Sequence, residues 1–210
     1  MNKELNNLII KYPELDVCKE DIFSAFEMMC NCYRGNGKIL TCGNGGSASD
    51  SEHIVGELMK GFYSKRVLPA SFKDKVNSLF PDDGAYLHGH LQGALPSIAL
   101  TSNSTLNTAF ANDVAADMIF AQQVYGYGNK GDVLIALSTS GNSLNVIRAL
   151  QTAKAKDVIT VGLTGQTGGK MKNHCDVTIC VPGTSAAEIQ ELHLPVYHAI
   201  CLMLENEFFE

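Results

Sequence analysis

The sequence predicts an α/β fold in which a mainly parallel sheet carries helices on both faces, a three-layer sandwich. Short apolar runs of strand length alternate along the chain with stretches whose apolar residues recur at helical spacing. Two of the runs end in polar loops that lead directly into a helix, at Asn44 and at Ser138. Ligands of such folds bind beyond the carboxyl ends of the strands. We therefore expect both loops to converge at one edge of the sheet.

Size and composition indicate one compact domain, residues 1–210, with a sizeable core. The formal net charge is −6 at pH 7, and basic residues form no cluster. This charge argues against a protein that binds nucleic acid through its phosphates. The N-terminal apolar run is too short for a secretory signal, and no apolar stretch reaches transmembrane length. We expect a cytoplasmic protein that contacts neither nucleic acid nor membrane.

The cysteines show neither a disulfide framework nor a zinc-ribbon spacing, so we expect reduced, mostly buried thiols. There are seven of them, at Cys18, Cys30, Cys32, Cys42, Cys175, Cys180 and Cys201.

An extra helical segment, residues 1–36, precedes the first strand of the predicted sheet. Apolar positions at helical spacing predict an amphipathic helix from about Cys18 to Arg34, which Gly35–Gly37 ends. Because this helix lies outside the strand–helix repeat, its apolar side has two candidate partners. These are a second subunit and the core of its own subunit.

The first polar loop follows the predicted strand Lys38–Cys42. Gly43–Gly46 predicts a turn that permits close backbone approach, and a helix opens at Ser47. That helix carries His53 and Glu57, which are four residues apart and therefore share one face.

Two glycine-containing stretches resemble nucleotide loops, and both fail the pattern. After Gly43, Ala48 stands where G-x-G-x-x-G needs its last glycine. In Thr164–Lys170, the threonine replaces the first glycine of a P-loop, and Met171 follows the lysine where Ser or Thr is required. We expect no nucleotide cofactor.

The segment from about residue 60 to 96 has the least regular pattern and has the character of an insertion. Phe80–Gly84 is a turn signal. His88 and His90 could bind a metal, but no third ligand is placed with them, so a solvated loop is the favoured interpretation.

The second half of the chain continues the strand–helix alternation. Its last helix contains Pro195, which should kink the helix or loosen one turn. The predicted strands are Ser97–Leu100, Val133–Leu137, Val158–Leu163 and Asp176–Val181. A helical stretch that includes Ala111–Asp113 follows the first of them, and further helices are predicted at Leu144–Leu150 and at about Ala186–Glu207.

The loop after Val133–Leu137 is the strongest candidate for a ligand site. Four hydroxyl side chains follow the strand and precede a helix, at Ser138, Thr139, Ser140 and Ser143. Free backbone N–H groups and the helix dipole favour an anion there. Ser and Asn also cap helices, but one residue is enough for a cap. We therefore expect a phosphomonoester site.

This Ser-Thr-Ser-Gly-Asn-Ser run resembles the phosphosugar loop of the sugar-isomerase (SIS) domain family. The stretch from Cys42 to Ser47, which leads into His53–Glu57, is similar within that family to the phosphoheptose isomerases. These enzymes convert sedoheptulose 7-phosphate to an aldoheptose 7-phosphate through an enediol. The resemblance covers nearly the whole chain except residues 60–96. It implies a flavodoxin-like SIS fold and a homotetramer with shared active sites.

The resemblance also implies roles for individual residues. Glu57 would be the base and His198 the acid, although the two roles could be exchanged. Ala187 departs from the aspartate that close relatives have near the sugar. Asn44, Gly45, Gly46, Glu57, Asn112, Asp113 and Gln190 would bind substrate together with the hydroxyl loop. His53, Glu57, Gln190 and His198 match positions that hold zinc in some members, and zinc would polarise the carbonyl.

Two other functions stay open at this point. The long segment 60–96 permits an isomerase of a different sugar phosphate. A non-catalytic SIS protein that senses a phosphosugar, or that binds a replication-initiator protein, is the alternative from another class. The set His53, Glu57, Gln190 and His198 favours the enzyme, because a binding module need not keep it.

Overall fold

The protein, described here by a computed structural model of residues 2–210, is built around one five-stranded parallel sheet. Its strands are β1 (Ile39–Cys42), β2 (Ser97–Ala99), β3 (Val133–Leu137), β4 (Ile159–Gly165) and β5 (Val177–Val181). They lie in the order β2-β1-β3-β4-β5, and every neighbouring pair is parallel. The predicted α/β fold class is confirmed.

Helices connect the strands and cover both faces of the sheet. They are α1 (Lys3–Lys11), α2 (Lys19–Arg34), α3 (Gly46–Met59), α4 (Ala70–Leu79), α5 (Gly84–His90), α6 (Ser104–Asp113), α7 (Ile119–Tyr127), α8 (Leu144–Ala155) and α9 (Ala186–Phe209). Among residues 2–210, no helix is both long and apolar enough to cross a membrane.

Alternate side chains of the central strands enter two separate cores. In β3, Val133, Ile135 and Leu137 point to a core shared with α1, α2, α3 and α9. Leu134 and Ala136 point to the other core, which contains residues of α7 and α8. All five β3 residues are buried, as expected of a central strand with helices on both sides.

Helix α2 packs into the core of its own subunit. Of the two partners considered for its apolar side, a second subunit and its own core, the structure shows the core. Ile22 and Ala25 are fully buried, and Met29 is buried beside residues of the sheet. The prediction of this helix was correct to within one residue at its start.

Residues 60–96 are not the solvated loop that their sequence suggested. They form α4 and α5, with a turn at residues 81–83 between them, and His88 and His90 lie on α5. Only Val76 in α4 and Gly84 in α5 are buried. Because so few positions face an interior, the segment lacks the periodic apolar pattern by which a helix is recognised.

The segment that carries α4 and α5 leaves the rest of the fold and returns to it at the same place; it is called the α4–α5 excursion below. The N–H of Gly93 donates to the Arg66 carbonyl (3.0 Å), and the N–H of Leu95 donates to the Leu58 carbonyl (2.9 Å). The N–H of Gly61 donates to the Gln92 side chain at 2.7 Å. The base of the excursion is therefore closed by its own hydrogen bonds.

Helix α9 begins with a capping box, in which Ser185 and Glu188 satisfy each other's backbone N–H groups. The helix continues through Pro195 to Phe209. The proline therefore does not end it, although it removes one backbone donor from that turn.

The cysteines are all free thiols, five of them buried and two half-buried. Burial raises the pKa of the Cys30 and Cys32 thiols to about 11, so they stay protonated at neutral pH.

His193 on α9 makes stability depend on pH. Its side chain is fully buried and neither ring nitrogen has a hydrogen-bond partner. Burial lowers its pKa to about 4, and the nearby Thr164 backbone opposes this shift. The unfolded chain therefore binds more protons than the folded one between pH ~6.5 and ~4. The stability is complete above that window, and we expect a loss of about 3 kcal/mol as pH falls through it.

Urea unfolding at pH 7, 5.5 and 4.5 measures this loss, with His193→Phe as the non-titrating control. The free energy of unfolding of the variant should fall less steeply with pH than that of the wild type. Parallel profiles would show that other groups control the acid sensitivity.

Candidate active site

The loops after β1 and β3 meet at the carboxyl edge of the sheet, as expected. Asn44 and Asn145 join them through two reciprocal amide hydrogen bonds, each 2.9 Å long. Asn44 follows β1, and Asn145 is the second residue of α8. The end of β1 is level with β3, since Cys42 pairs with Ala136.

In the loop after β3, residues 138–143, the hydroxyl side chains do more than cap a helix. This segment is called the hydroxyl loop below. Ser143 is the N-cap residue of α8, yet its side chain makes no capping bond. Its Oγ lies instead 3.1 Å from the Oγ of the buried Ser138. Ser140 is exposed, and its Oγ accepts the N–H of Asn142 at 3.2 Å. The hydroxyls are therefore arranged by one another at the start of α8, where an anion is favoured.

Gly141 is required by the shape of this loop. Its φ is +64°, and a Cβ there would lie 2.3 Å from the Gly168 carbonyl oxygen. The loop is thereby packed against the turn that follows β4. Beside it lies a cavity of about 330 Å³, lined among others by Ser140, Gln166 and Thr184.

Helix α3 carries the Glu57 carboxylate, and each of its two oxygens contacts another side chain. Glu57 is only 8% exposed. Its Oε1 lies 3.1 Å from His53 Nε2, and its Oε2 accepts from Lys60 Nζ at 3.3 Å. An ionised carboxylate only accepts hydrogen bonds, so His53 must donate from Nε2. Lys60 was not among the residues predicted from the sequence, although its spacing of three residues from Glu57 is that of a helix-surface pair.

A tyrosine and an aspartate extend this network from the other side of His53. The Tyr197 hydroxyl lies 3.0 Å from His53 Nδ1 and 3.3 Å from Asp50 Oδ1. Burial raises the pKa of the Asp50 carboxyl, while Tyr197 and His53 oppose that shift. Neither Tyr197 nor Asp50 was predicted from the sequence. Asp50 could have been found by its position three residues before His53 on the same helix.

His198 lies beside this network on α9. Its ring centroid is 5.0 Å from that of His53 and 5.2 Å from that of Phe62. Its Nε2 is buried without a hydrogen-bond partner. Burial lowers the pKa of His198, His53 lowers it further, and Glu57 opposes both. At neutral pH this imidazole is therefore neutral, with one nitrogen available to a ligand.

The side-chain amide of Gln190 connects α9 with the loop after β1. A Cβ on Gly46 would come within 2.5 Å of the Gln190 amide nitrogen, so the amide packs directly on that glycine. Gly45 has a φ of +57° and is exposed next to it.

Comparison with known proteins relates the sequence of this chain to a family. The family model of the SIS domain matches residues 14–78 and 76–165. The phosphoheptose isomerase of Rhodospirillum rubrum is 40% identical over 195 residues, which cover 93% of this chain and 90% of that protein. The chain belongs to the phosphoheptose isomerase family of SIS-domain proteins.

Other members of the family agree in sequence and in structure. The phosphoheptose isomerase of Aneurinibacillus thermoaerophilus is 40% identical over 204 residues, covering 95% of this chain and 90% of that protein. The solved phosphoheptose isomerase of Neisseria gonorrhoeae superimposes with a TM-score of 0.75 at 34% identity. That of Francisella tularensis has a TM-score of 0.78 at 29% identity. Each superposition covers 93% of this chain and 91% of the other.

Asn112 and Asp113 stand apart from the other candidate residues. They are exposed in the last turn of α6, and the Asn112 amide donates to the Asp113 carboxylate at 2.8 Å. Within residues 2–210, no side-chain hydrogen bond links either of them to the other candidate residues. The structure thus brings the two loops together and, separately, brings His53, Glu57 and His198 together, and it leaves this pair outside the contacts of both groups.

Three of the candidate zinc ligands, His53, Glu57 and His198, lie close together, whereas Gln190 packs on Gly46, and the four are not gathered around one point. Within residues 2–210, no group of three or more His, Cys, Asp and Glu side chains is arranged to hold a metal ion. His53 Nε2 faces Glu57, whereas His198 Nε2 is unpartnered. Two imidazoles and a carboxylate are nevertheless suitable zinc donors, so the chemistry of the set fits this metal.

Proposed function

We propose that this chain isomerises sedoheptulose 7-phosphate to D-glycero-D-manno-heptose 7-phosphate through an enediol. The observation that carries the proposal is the pairing of a buried carboxylate, Glu57, with a neutral imidazole, His198, around His53. An aldose–ketose interconversion needs a base near the carbon and an acid near the carbonyl oxygen. Membership of the phosphoheptose isomerase family supports the choice of sugar.

The proton transfers can be written with these two residues alone. Glu57 takes a proton from C1 of the ketose while His198 gives one to the oxygen on C2, and this leaves the enediol. His198 then takes the proton of the C1 hydroxyl while Glu57 returns its proton to C2, which forms the aldose. Both residues end in their starting states. Lys60 and His53 keep the Glu57 carboxylate oriented between these steps.

The substrate phosphate would occupy the hydroxyl loop at the start of α8. Ser138, Thr139, Ser140 and Ser143 supply hydroxyl donors, and the helix N-terminus supplies backbone N–H groups. Asn44, Gly45, Gly46 and Gln190 would contact the sugar, because Asn44 bonds to Asn145 at the start of α8 and Gln190 packs on Gly46 at the start of α3. The same role for Asn112 and Asp113 rests on the family resemblance.

Replacing Ser140 by alanine tests the phosphate loop. Its exposed hydroxyl is free to reach a ligand, and a hydrogen bond to a charged group is worth about 1.5–3 kcal/mol. We therefore expect KM for the sugar phosphate to rise at least ~10-fold, with an unchanged melting temperature. Ser78→Ala on α4 is the control. Equal KM values for the two variants would remove Ser140 from the site.

Zinc would be held by His53, Glu57, His198 and Gln190. The unpartnered His198 Nε2 supports this assignment, since it leaves one donor atom unused by the protein. When bound, the metal would polarise the carbonyl and stabilise negative charge on the enediolate. Metal analysis of the purified protein and of His53→Ala tests the assignment, and equal zinc content in both would contradict it.

The assembly is proposed to be a cytoplasmic homotetramer with shared active sites, in which residues 1–210 form one SIS domain. The family resemblance supports this assembly. A groove beside His198 offers a place for a neighbouring subunit, and its exposed rim includes Tyr63 and Leu194. Light scattering that detects a stable, active monomer would rule the tetramer out.

A panel of ketose phosphates, assayed for aldose formation, tests the function as a whole. Sedoheptulose 7-phosphate should give the highest kcat/KM. A faster reaction with a shorter ketose phosphate would favour an isomerase of another sugar. Tight phosphosugar binding without turnover would favour the sensing protein, and a replication-initiator partner would then be sought by pull-down.

A further inference from the structure

Arg66 and Glu205 form an ion pair in the interior, between the segment after α3 and helix α9. Arg66 Nε lies 2.8 Å from Glu205 Oε1, and the two side chains are 0% and 1% exposed. Desolvation offsets most of the attraction within such a pair, so a buried ion pair contributes little net stability. The hydrogen bonds from this pair to the backbone indicate a role other than stabilising the fold.

The guanidinium holds the backbone of helix α3 at Glu57. Arg66 Nη2 donates to the carbonyl of Glu57 at 2.7 Å, and Nη1 donates to the carbonyl of Leu58 at 2.5 Å. Carbonyls at the end of a helix have no partner within it, and a cation there also suits the helix dipole. The planar fork of Arg66 therefore fixes the last turn of α3, from which the Glu57 side chain projects.

Glu205 holds the residues that come next. It accepts the N–H groups of Phe62 (2.8 Å), Tyr63 (2.8 Å) and Ser64 (3.0 Å). Burial alone would raise the pKa of Glu205, but these N–H donors and Arg66 keep it below its usual value. The ring of Phe62, anchored in this way, lies against His198.

We propose that Arg66 and Glu205 are positioning residues for the isomerisation, an inference that rests on the proposed function. Together they fix Glu57 through its own backbone and His198 through the ring of Phe62. His198 and Glu205 are seven residues apart on α9, about two turns, and so lie on the same side of it. The ion pair thus connects both catalytic residues although it touches neither side chain.

Arg66→Lys tests the inference without removing the charge. Lysine can still pair with Glu205, but it lacks the planar fork that reaches both carbonyls. Misplacement of a catalytic group by about 1 Å can cost ~10²-fold in rate. We expect kcat to fall by roughly 10- to 100-fold, while KM for sedoheptulose 7-phosphate stays within about two-fold of the wild-type value.

The matched control is another buried carboxylate, which immediately precedes β3 and binds residues outside α3 and α9. Asp132 is 2% exposed, pairs with Lys38 at 2.5 Å, and accepts the N–H groups of Lys38 (2.9 Å) and Asn129 (2.8 Å). Glu205→Gln and Asp132→Asn should both lower the melting temperature. Only Glu205→Gln should lower kcat per folded molecule.

A double variant separates positioning from stability. Arg66→Met with Glu205→Gln removes both charges, so no unpaired charge stays in the interior, and the glutamine amide oxygen can still accept backbone N–H groups. We expect a stably folded protein whose kcat stays as low as that of Arg66→Lys. Recovery of kcat together with stability would overturn the positioning role, as would a wild-type kcat in Arg66→Lys. A wild type that converts no sugar phosphate would instead overturn the proposed function, and the positioning role would fall with it.

Discussion

Glu57→Gln should lower kcat for sedoheptulose 7-phosphate by at least ~10³-fold, with little change in phosphosugar binding. Glutamine has nearly the same shape as glutamate and can still accept from His53, but it cannot take a proton from carbon. Steady-state kinetics with direct titration of the phosphosugar measures both effects. Because Glu57 is 8% exposed and bonded on both oxygens, the melting temperature should be recorded for each variant.

Glu52→Gln is the matched control, since Glu52 lies on the same helix and is exposed. It should keep the wild-type rate. Zinc content must be measured beside each rate, because Glu57 is also a candidate ligand. Reaction in deuterated water adds a second readout, since an enediol path exchanges the migrating proton with solvent. A wild-type rate in Glu57→Gln at equal metal loading would disprove the mechanism.

His198→Asn should lower kcat by ~10²–10⁴-fold, the usual cost of losing acid–base catalysis by one residue. The amide of asparagine can occupy a similar position and donate a hydrogen bond, but it does not exchange protons near neutral pH. His90→Asn is the control, because His90 is exposed on α5 and bonds to the carbonyl of Tyr86. If both variants had the same kcat, His198 would not be the acid.

The central part of the fold could be predicted because its signals are local. Strand β3 has the predicted bounds, since Val133–Leu137 is an unbroken apolar run followed by a polar loop. The convergence of the loops at Asn44 and Ser138 follows from parallel-sheet topology. Strand β4 runs two residues past its predicted end, because Thr164 and Gly165 pair with β5 although their composition is that of a turn.

Contacts between distant parts of the chain could not be predicted. The Tyr197 hydroxyl meets a histidine 144 positions away, and Arg66 meets a carboxylate 139 positions away. No periodicity in the sequence encodes such pairs. Helices α4 and α5 were missed for a different reason, since two buried residues leave too weak an amphipathic signal.

The closed base of the α4–α5 excursion has a consequence for local unfolding. Few of its side chains are buried, and the bonds that seal its base lie outside the two helices. Segments of this kind open at a lower free energy than the core, as separate cooperative units. Residues 67–91 can therefore unfold and refold, or be cut by a protease, while the sheet and the residues around Glu57 keep their native arrangement.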